Sequence, residues 1–406
     1  MKIAFLLPLF PAISETFILN QLTWLLDHGH HVDIFARKRS GEKTVHEDVE
    51  KYRLLDRTYF YWDVPLSKIQ RLVSAFRIIR KHVLKNPIGI LRTLNVIKYG
   101  NLAWTLGLLH RVGPFLNDYD IVQCHFGPSG NWGIFLKEFG IHAKVVTTFH
   151  GFDIRLGLEQ GGHIFQKLFK KGDCFISISD YNFQSLCQLG LSKEKIFTLP
   201  IGIDLRKFPL KMTNHIWEPK TPCRIVTVAR LVEEKGLRFG IEAVSQLIHV
   251  RPGVNIQYTI IGEGPLRGEL ESLVKKLNLE ETVSFRGSME QKDIIQVLLG
   301  SDLFLFPSIA EALPVSLMEA QAVGLPVVAT QVGSADQIVS EGNSGFLVPS
   351  GDVAAMADRC AYLLDHPESW QDMGRRGRDI VAERYDVNIL NAQLLGLYQK
   401  LLASRP

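Results

Sequence analysis

Short apolar runs, alternating along much of the sequence with stretches of helical spacing, recur in this chain of 406 residues in two series. The first series comprises residues 3–7, 32–36, 121–124, 144–148, 174–177 and 195–199. The second comprises 224–229, 257–261, 283–285, 303–306, 327–329 and 345–348. Runs this short and continuously apolar read as strands buried on both faces, and the helical stretches between them as crossovers of a parallel sheet. Between the two series, residues 200–222 contain Pro200, Gly202, Pro209, Pro219 and Pro222 without helical period, as a linker would. The expected architecture is α/β: two doubly wound parallel-sheet domains, 1–203 and 204–386, with the last helix, about 387–406, packing back on the first domain. Residues 66–110 are expected to form two helices broken at Asn86 and Pro87, and residues 40–65 show no clear period.

Charge excludes some partners. A net charge of +4 is too small to indicate nucleic-acid binding. Its distribution is uneven, however: no acidic residue lies between Asp63 and Asp118, while Lys68, Arg71, Arg77, Arg80, Lys81, Lys85, Arg92, Lys98 and Arg111 do. Within 66–98, Ile69, Leu72, Val73, Phe76, Ile79, Ile90 and Leu94 alternate with these cations. That pattern fits a helix packed on the first domain with a solvated basic face, or a patch that meets an anionic membrane surface. Cys124, Cys174, Cys187, Cys223 and Cys360 are odd in number and at no metal-binding spacing, as buried thiols in a reducing compartment would be. Pro8 and Pro11 interrupt the first apolar run, which reads as a strand rather than a signal peptide. No run approaches the ~18 apolar residues of a membrane span. The expected location is cytoplasmic, with peripheral attachment at the inner face of the cytoplasmic membrane if the basic segment binds lipid.

Ligands of open parallel sheets gather at the carboxyl ends of the strands, so the residues just after each strand are the candidates. Arg230 and Lys235 flank a helix start, and two cations beside exposed helix N–H groups suit a diphosphate, unless Glu233 and Glu234 merely neutralise them. Gly262 and Gly264 would let backbone approach a ligand closely. Arg286 follows the strand at 283–285. Glu311 lies in the loop after the strand at 303–306, Leu313, Pro314 and Val315 lead into a helix, and Glu319 falls inside it. The free N–H groups there can take a phosphate oxygen, and the two carboxylates can accept hydrogen bonds from sugar and ribose hydroxyls. In the first half, His125 and His150 each follow a strand. Asp118 and Asp120 precede one, at the wrong end of a sheet for a metal-dependent site, and no metal site is expected.

Arg230-x4-Lys235-Gly236, the Gly262-Glu263-Gly264-Pro265 segment and Glu311-x7-Glu319 together resemble the retaining GT-B glycosyltransferases of family 4, also called group 1. Thr148–Asp153, Ile178-Ser179 and 199–208 agree in the first half. The resemblance implies the GT-B fold, two Rossmann-like domains facing across a cleft. It implies that Arg230 and Lys235 grip the donor diphosphate, that Glu311 meets the transferred sugar, and that Glu319 binds the ribose. The backbone at 313–315 would hold phosphate, and His150 would stand at the reaction centre. The family's Gly-Gly loop after the first strand is replaced by Phe10-Pro11-Ala12-Ile13-Ser14-Glu15-Thr16-Phe17. This variant is similar to the colanic acid and amylovoran type of exopolysaccharide glycosyltransferases. Ser14 would cap a helix on the acceptor side, with Glu15, Thr16, His125 and Asp153 nearby.

The implied activity is retaining, metal-independent hexosyl transfer from a UDP- or GDP-sugar to a polyprenyl-diphosphate-linked or oligosaccharide acceptor, with no cofactor beyond the sugar nucleotide. In the front-face form of that reaction a donor phosphate oxygen takes the acceptor's proton, and His150 contacts the donor sugar or orients the acceptor. A catalytically inert sugar-nucleotide-binding protein on the same fold is the alternative.

Overall fold

The computed structural model describes residues 1–12, 15–41, 45–211, 217–218 and 220–404. Two compact units form. One is Met1–Leu199 with Asn391–Pro406, the other Pro200–Leu390.

The first unit holds a seven-stranded parallel sheet. Its strands are β1 (Lys2–Phe10), β2 (His31–Arg39), β3 (Thr58–Phe60), β4 (Ile121–His125), β5 (Lys144–Phe149), β6 (Cys174–Ser177) and β7 (Ile196–Thr198), in the order β3-β2-β1-β4-β5-β6-β7. The second holds six parallel strands: β8 (Cys223–Val228), β9 (Ile256–Ile261), β10 (Val283–Gly287), β11 (Leu303–Phe306), β12 (Val327–Thr330) and β13 (Gly345–Val348). Their order is β10-β9-β8-β11-β12-β13. In each sheet the order reverses beside the first strand, between β1 and β4 and between β8 and β11. In each sheet, the carboxyl ends of that pair of strands flank a crevice of the kind where an open α/β sheet takes its ligand. Strands β4, β6, β11 and β12 are buried along their whole length, as strands covered on both faces are, and the few polar residues in them, such as Gln123 and His125, are buried too.

Segments with weak periodicity depart from expectation. Residues 66–110 form five short helices, Lys68–His82, Pro87–Thr93, Val96–Tyr99, Asn101–Trp104 and Gly107–Val112, not two. Asn86 caps the second through its side chain and Asn95 the third, so the first two breaks each carry a local cap. Residues 40–65 contain the edge strand β3, too short to show alternation. The helix Gly151–Glu159 after β5 was not anticipated, and the helix after β4 begins at Gly127, two residues past the strand. Residues 200–208 are bound to the second unit rather than free: Ile203 N donates to Tyr385 O at 2.9 Å, and Arg378 donates to the carbonyls of Leu205 (3.2 Å) and Phe208 (2.5 Å).

The helix Lys68–His82 has two apolar faces. Ala75, Ile78 and Ile79 pack on the core of the first unit. Ile69, Leu72, Val73 and Phe76, at i, i+3, i+4 and i+7, face solvent, with Ile69 75% and Phe76 67% exposed. The face turned outward is thus both basic and apolar, with Lys68, Arg77, Arg80 and Lys81 exposed beside the apolar stripe. Farther along, Lys98 and Lys167 both donate to Glu138, at 2.8 and 2.6 Å. Arg92 donates to the Glu138 carbonyl at 2.6 Å. Hydrogen bonds from Lys167 and then Lys98 hold that carboxyl down at about 2.

Candidate active site

In the second unit, β8 delivers the loop carrying Arg230, and Glu233–Lys235 form one 3-10 turn before the helix Leu237–Val250. This loop is laced to the one after β11, because Ile309 N and Ala310 N both donate to Glu234 O, at 2.9 and 3.2 Å. Lys235 Nζ pairs with Glu311 Oε1, which also accepts from Ser308 Oγ at 3.0 Å. Ser308 is held in turn by Thr330 Oγ1, which donates to its carbonyl at 2.5 Å. Gly333, at φ +56°, lies so close under Glu311 that a Cβ would stand 2.3 Å from the Glu311 carbonyl oxygen. Arg230 is exposed and, among the described residues, makes no ion pair.

Gly262, at φ +138°, follows β9, and a Cβ there would lie 1.9 Å from Ala229 O. Gly264 approaches Leu231 O in the same way. These two glycines therefore seat the loop that bears Arg230, which is a reason for them beyond ligand approach. Arg286 is exposed within β10, beside an irregular register step. Pro314 stands at the N-cap position, one residue before the helix Val315–Ala322, and no side chain caps that helix. Its first N–H groups thus remain available. Glu319 does not share Glu311's partners: it accepts from Gln291 Nε2 at 3.3 Å. Burial lifts its carboxyl to about 7, against the pull of that hydrogen bond.

In the first unit, β4 ends at His125 and His150 follows β5. Nδ1 of His125 and Nε2 of His150 are 3.2 Å apart, one donating to the other, while Nε2 of His125 is buried without a partner. Burial pulls both imidazoles down. His150 falls to about 3, and His125, which His150 also depresses, falls far below its ordinary value. Both rings are therefore neutral at pH 7. Phe17, in the first turn of the helix Thr16–Asp27, meets the His150 ring at 4.9 Å, and Phe126 meets it from another side at 4.5 Å. Glu15 and Thr16 thus stand at a helix start beside this pair; Ser14 lies outside the described residues.

Asp153, expected on the acceptor side, is wholly buried and commits both oxygens to backbone. Oδ2 accepts from Gly127 N at 2.8 Å, and Oδ1 accepts from His150 N at 2.7 Å and Ile154 N at 3.2 Å. It clips the two histidine-bearing loops together rather than facing a substrate. Desolvation raises it to about 7, with those N–H bonds opposing. Asp120 accepts from Lys2 N at 2.8 Å at the amino edge of the sheet, away from this centre.

Phe126 was missed in the sequence. Its φ of +71° is a strained value for a residue with a Cβ, and it sits between the two histidine loops. Ser308, Gln291 and Gly333 were missed as well. Their common types give no signal until the fold brings them under the two glutamates.

Comparison with known proteins identifies the family. Residues 14–207 match the description "Glycosyltransferase Family 4" and residues 214–380 "Glycosyl transferases group 1". The colanic acid biosynthesis glycosyltransferase WcaL of Escherichia coli is 36% identical, over 99% of this chain and 100% of its own length. The chain belongs to glycosyltransferase family 4. The amylovoran biosynthesis glycosyltransferase AmsK of Erwinia amylovora is 35% identical over the same shares. Among solved structures, HepE of Anabaena in complex with UDP superposes with a TM-score of 0.75 at 18% identity, covering 98% of this glycosyltransferase and 100% of that chain. Sucrose-phosphate synthase of Thermosynechococcus elongatus superposes at 0.74 with 20% identity, covering both chains completely. Both show the shared fold, GT-B.

Proposed function

We propose that this glycosyltransferase transfers a hexose, with retention and without a metal, from a nucleotide-diphosphate sugar to a lipid-linked or oligosaccharide acceptor in exopolysaccharide assembly. The observation that carries the reading is the Lys235–Glu311 pair, fixed by Ser308 and by the lacing of two post-strand loops. It holds a cation where a leaving diphosphate would need one and a carboxylate where a sugar hydroxyl would need an acceptor. Arg230 and the uncapped N–H groups at Val315 supply the rest of the diphosphate site, with Gly262, Gly264 and Arg286 bordering it. Glu319 takes the ribose. The names of WcaL and AmsK point to exopolysaccharide, and the UDP complex of HepE favours a uridine donor.

On the acceptor side, His150 orients the attacking hydroxyl, supported by His125 and by the helix start at Thr16. An imidazole held at about 3 is a poor base at neutral pH. That favours a front-face reaction: the hydroxyl attacks from the side on which the diphosphate departs and gives its proton to a phosphate oxygen. Among the described residues no helix is long and apolar enough to cross a membrane. The outward face of Lys68–His82, apolar and flanked by Arg77 and Arg80, would instead rest on anionic lipid, bringing the enzyme to a lipid-linked acceptor.

A thermal-shift series with UDP, GDP and ADP tests the donor reading. The matching nucleotide at a hundredfold excess over its Kd adds about 2.7 kcal/mol to the state that binds it. No shift with any of the three would remove it.

A further inference from the structure

Two arginines share one indole in the first unit. The guanidinium carbon of Arg37 lies 4.6 Å from the centre of the Trp62 ring, and that of Arg111 lies 4.0 Å from it. Among the described residues neither is ion-paired, and the nearby Asp63 is engaged with Arg39. Arg111 Nε is buried without a hydrogen-bond partner. Its affinity for the proton is reduced by burial and then by the charge of Arg37. Trp132 Nε1 is a second buried donor with no partner. Its ring stacks on Tyr61 at 5.5 Å and meets Trp62 edge-on at 5.6 Å.

Cation–π contact and ring packing stabilise this cluster, but they leave its charges and buried donors unpaired. Two like charges on one ring repel, and an unpaired buried donor is unfavourable. Its position is informative. Arg37 lies near the end of β2, Tyr61 and Trp62 follow β3, and Trp132 is on the helix Gly127–Lys137 after β4. All four belong to the carboxyl edge of the sheet, where ligands of this fold class sit. The helix Gly107–Val112, which carries Arg111, also packs against the outward-facing helix Lys68–His82, with Ser74 Oγ and His110 Nε2 2.6 Å apart.

We propose that Arg37, Arg111 and Trp132 Nε1 form a subsite for a dianionic phosphate or diphosphate group, with the Trp62 ring beside the carbon skeleton attached to it. Two guanidinium groups match two negative charges, and planar nitrogen forks suit phosphate oxygens. The group would belong to the acceptor; that assignment rests on the transfer reading above, whereas the binding itself does not.

The test is calorimetric titration of inorganic pyrophosphate and of farnesyl diphosphate into a protein carrying both Arg230→Ala and Lys235→Ala, which removes the two cations of the donor clamp. Both should bind, and adding Arg37→Gln should weaken each at least about tenfold. Tighter binding of farnesyl diphosphate assigns the site to a lipid-linked group, and equal binding to the phosphate alone. Arg37 is exposed, so its substitution is compatible with folding, while Arg111→Gln repeats the test from the half-buried side. Pyrophosphate that fails to bind, or binds equally with and without Arg37, overturns the subsite. A separate UDP titration of the unaltered protein reports on the donor reading, so the two failures are distinguishable.

Discussion

Lys235 and Glu311 depend on each other and on Ser308, so a change at any of them reaches the other two. Charge-assisted hydrogen bonds contribute about 1.5–3 kcal/mol each. Lys235→Ala is therefore expected to lower kcat/KM at least about tenfold in a transfer assay run in excess EDTA, where the unaltered enzyme keeps its activity. Near-normal transfer by the variant would remove the clamp, and loss of wild-type activity in EDTA would remove the metal-free reading. Glu319 makes a different prediction. Its carboxyl is raised from 4.5 to about 7, so the stability tied to its proton is present below 4.5 and is lost as pH rises through 7. Glu319→Gln cannot lose that proton. Its melting temperature relative to wild type should climb between pH 4.5 and 7 and level off above, and a difference that is flat in pH would contradict the buried environment. His150 has the opposite sign: held near 3, it costs stability as pH falls below 6.5.

Loops and helices differed in how much of them could be read beforehand. The buried strands were legible because parallel sheets covered on both faces demand unbroken apolar runs. Arg230, Lys235, Glu311 and Glu319 were legible from order and spacing. What the spacing did not carry was the partner of each. Lys235 turned out to be joined to Glu311 rather than to Glu233 or Glu234, and Asp153 is a clip between loops, because such pairings arise from tertiary approach. The helix Lys68–His82 was the hardest to assign, since its apolar residues supply both a packed face and an exposed one. Its outward stripe predicts that a triple change, Ile69, Leu72 and Phe76 each to Ser, abolishes flotation with anionic vesicles and leaves the melting temperature within about a degree, as surface changes do. Equal flotation with neutral and anionic vesicles, or none at all, would remove the anionic-lipid reading.

The chain as a whole makes two sheets and then returns. The helix Val387–Ala403 begins in the second unit and finishes in the first, where Tyr398 is buried and its hydroxyl donates to Gln123 Oε1 at 2.8 Å. Gln123 lies in β4, two residues before His125, and its Nε2 donates to Thr148 Oγ1 at 2.8 Å, two residues before His150. The C-terminal helix is thus bonded to β4 and, through Gln123, linked to β5, the strands that lead into the two histidines. Tyr398→Phe leaves the Gln123 oxygen unpaired and should cost about 1–3 kcal/mol in denaturant unfolding, and an unchanged midpoint would show the bond to be idle. Glu138 has a consequence of another kind. Lys98 and Lys167 both close on that one side chain, Lys98 from a stretch that has no acid of its own. A mutational census of this protein would therefore find tolerance among the individual lysines, each replaceable by its neighbour, and intolerance at the solitary anion they share.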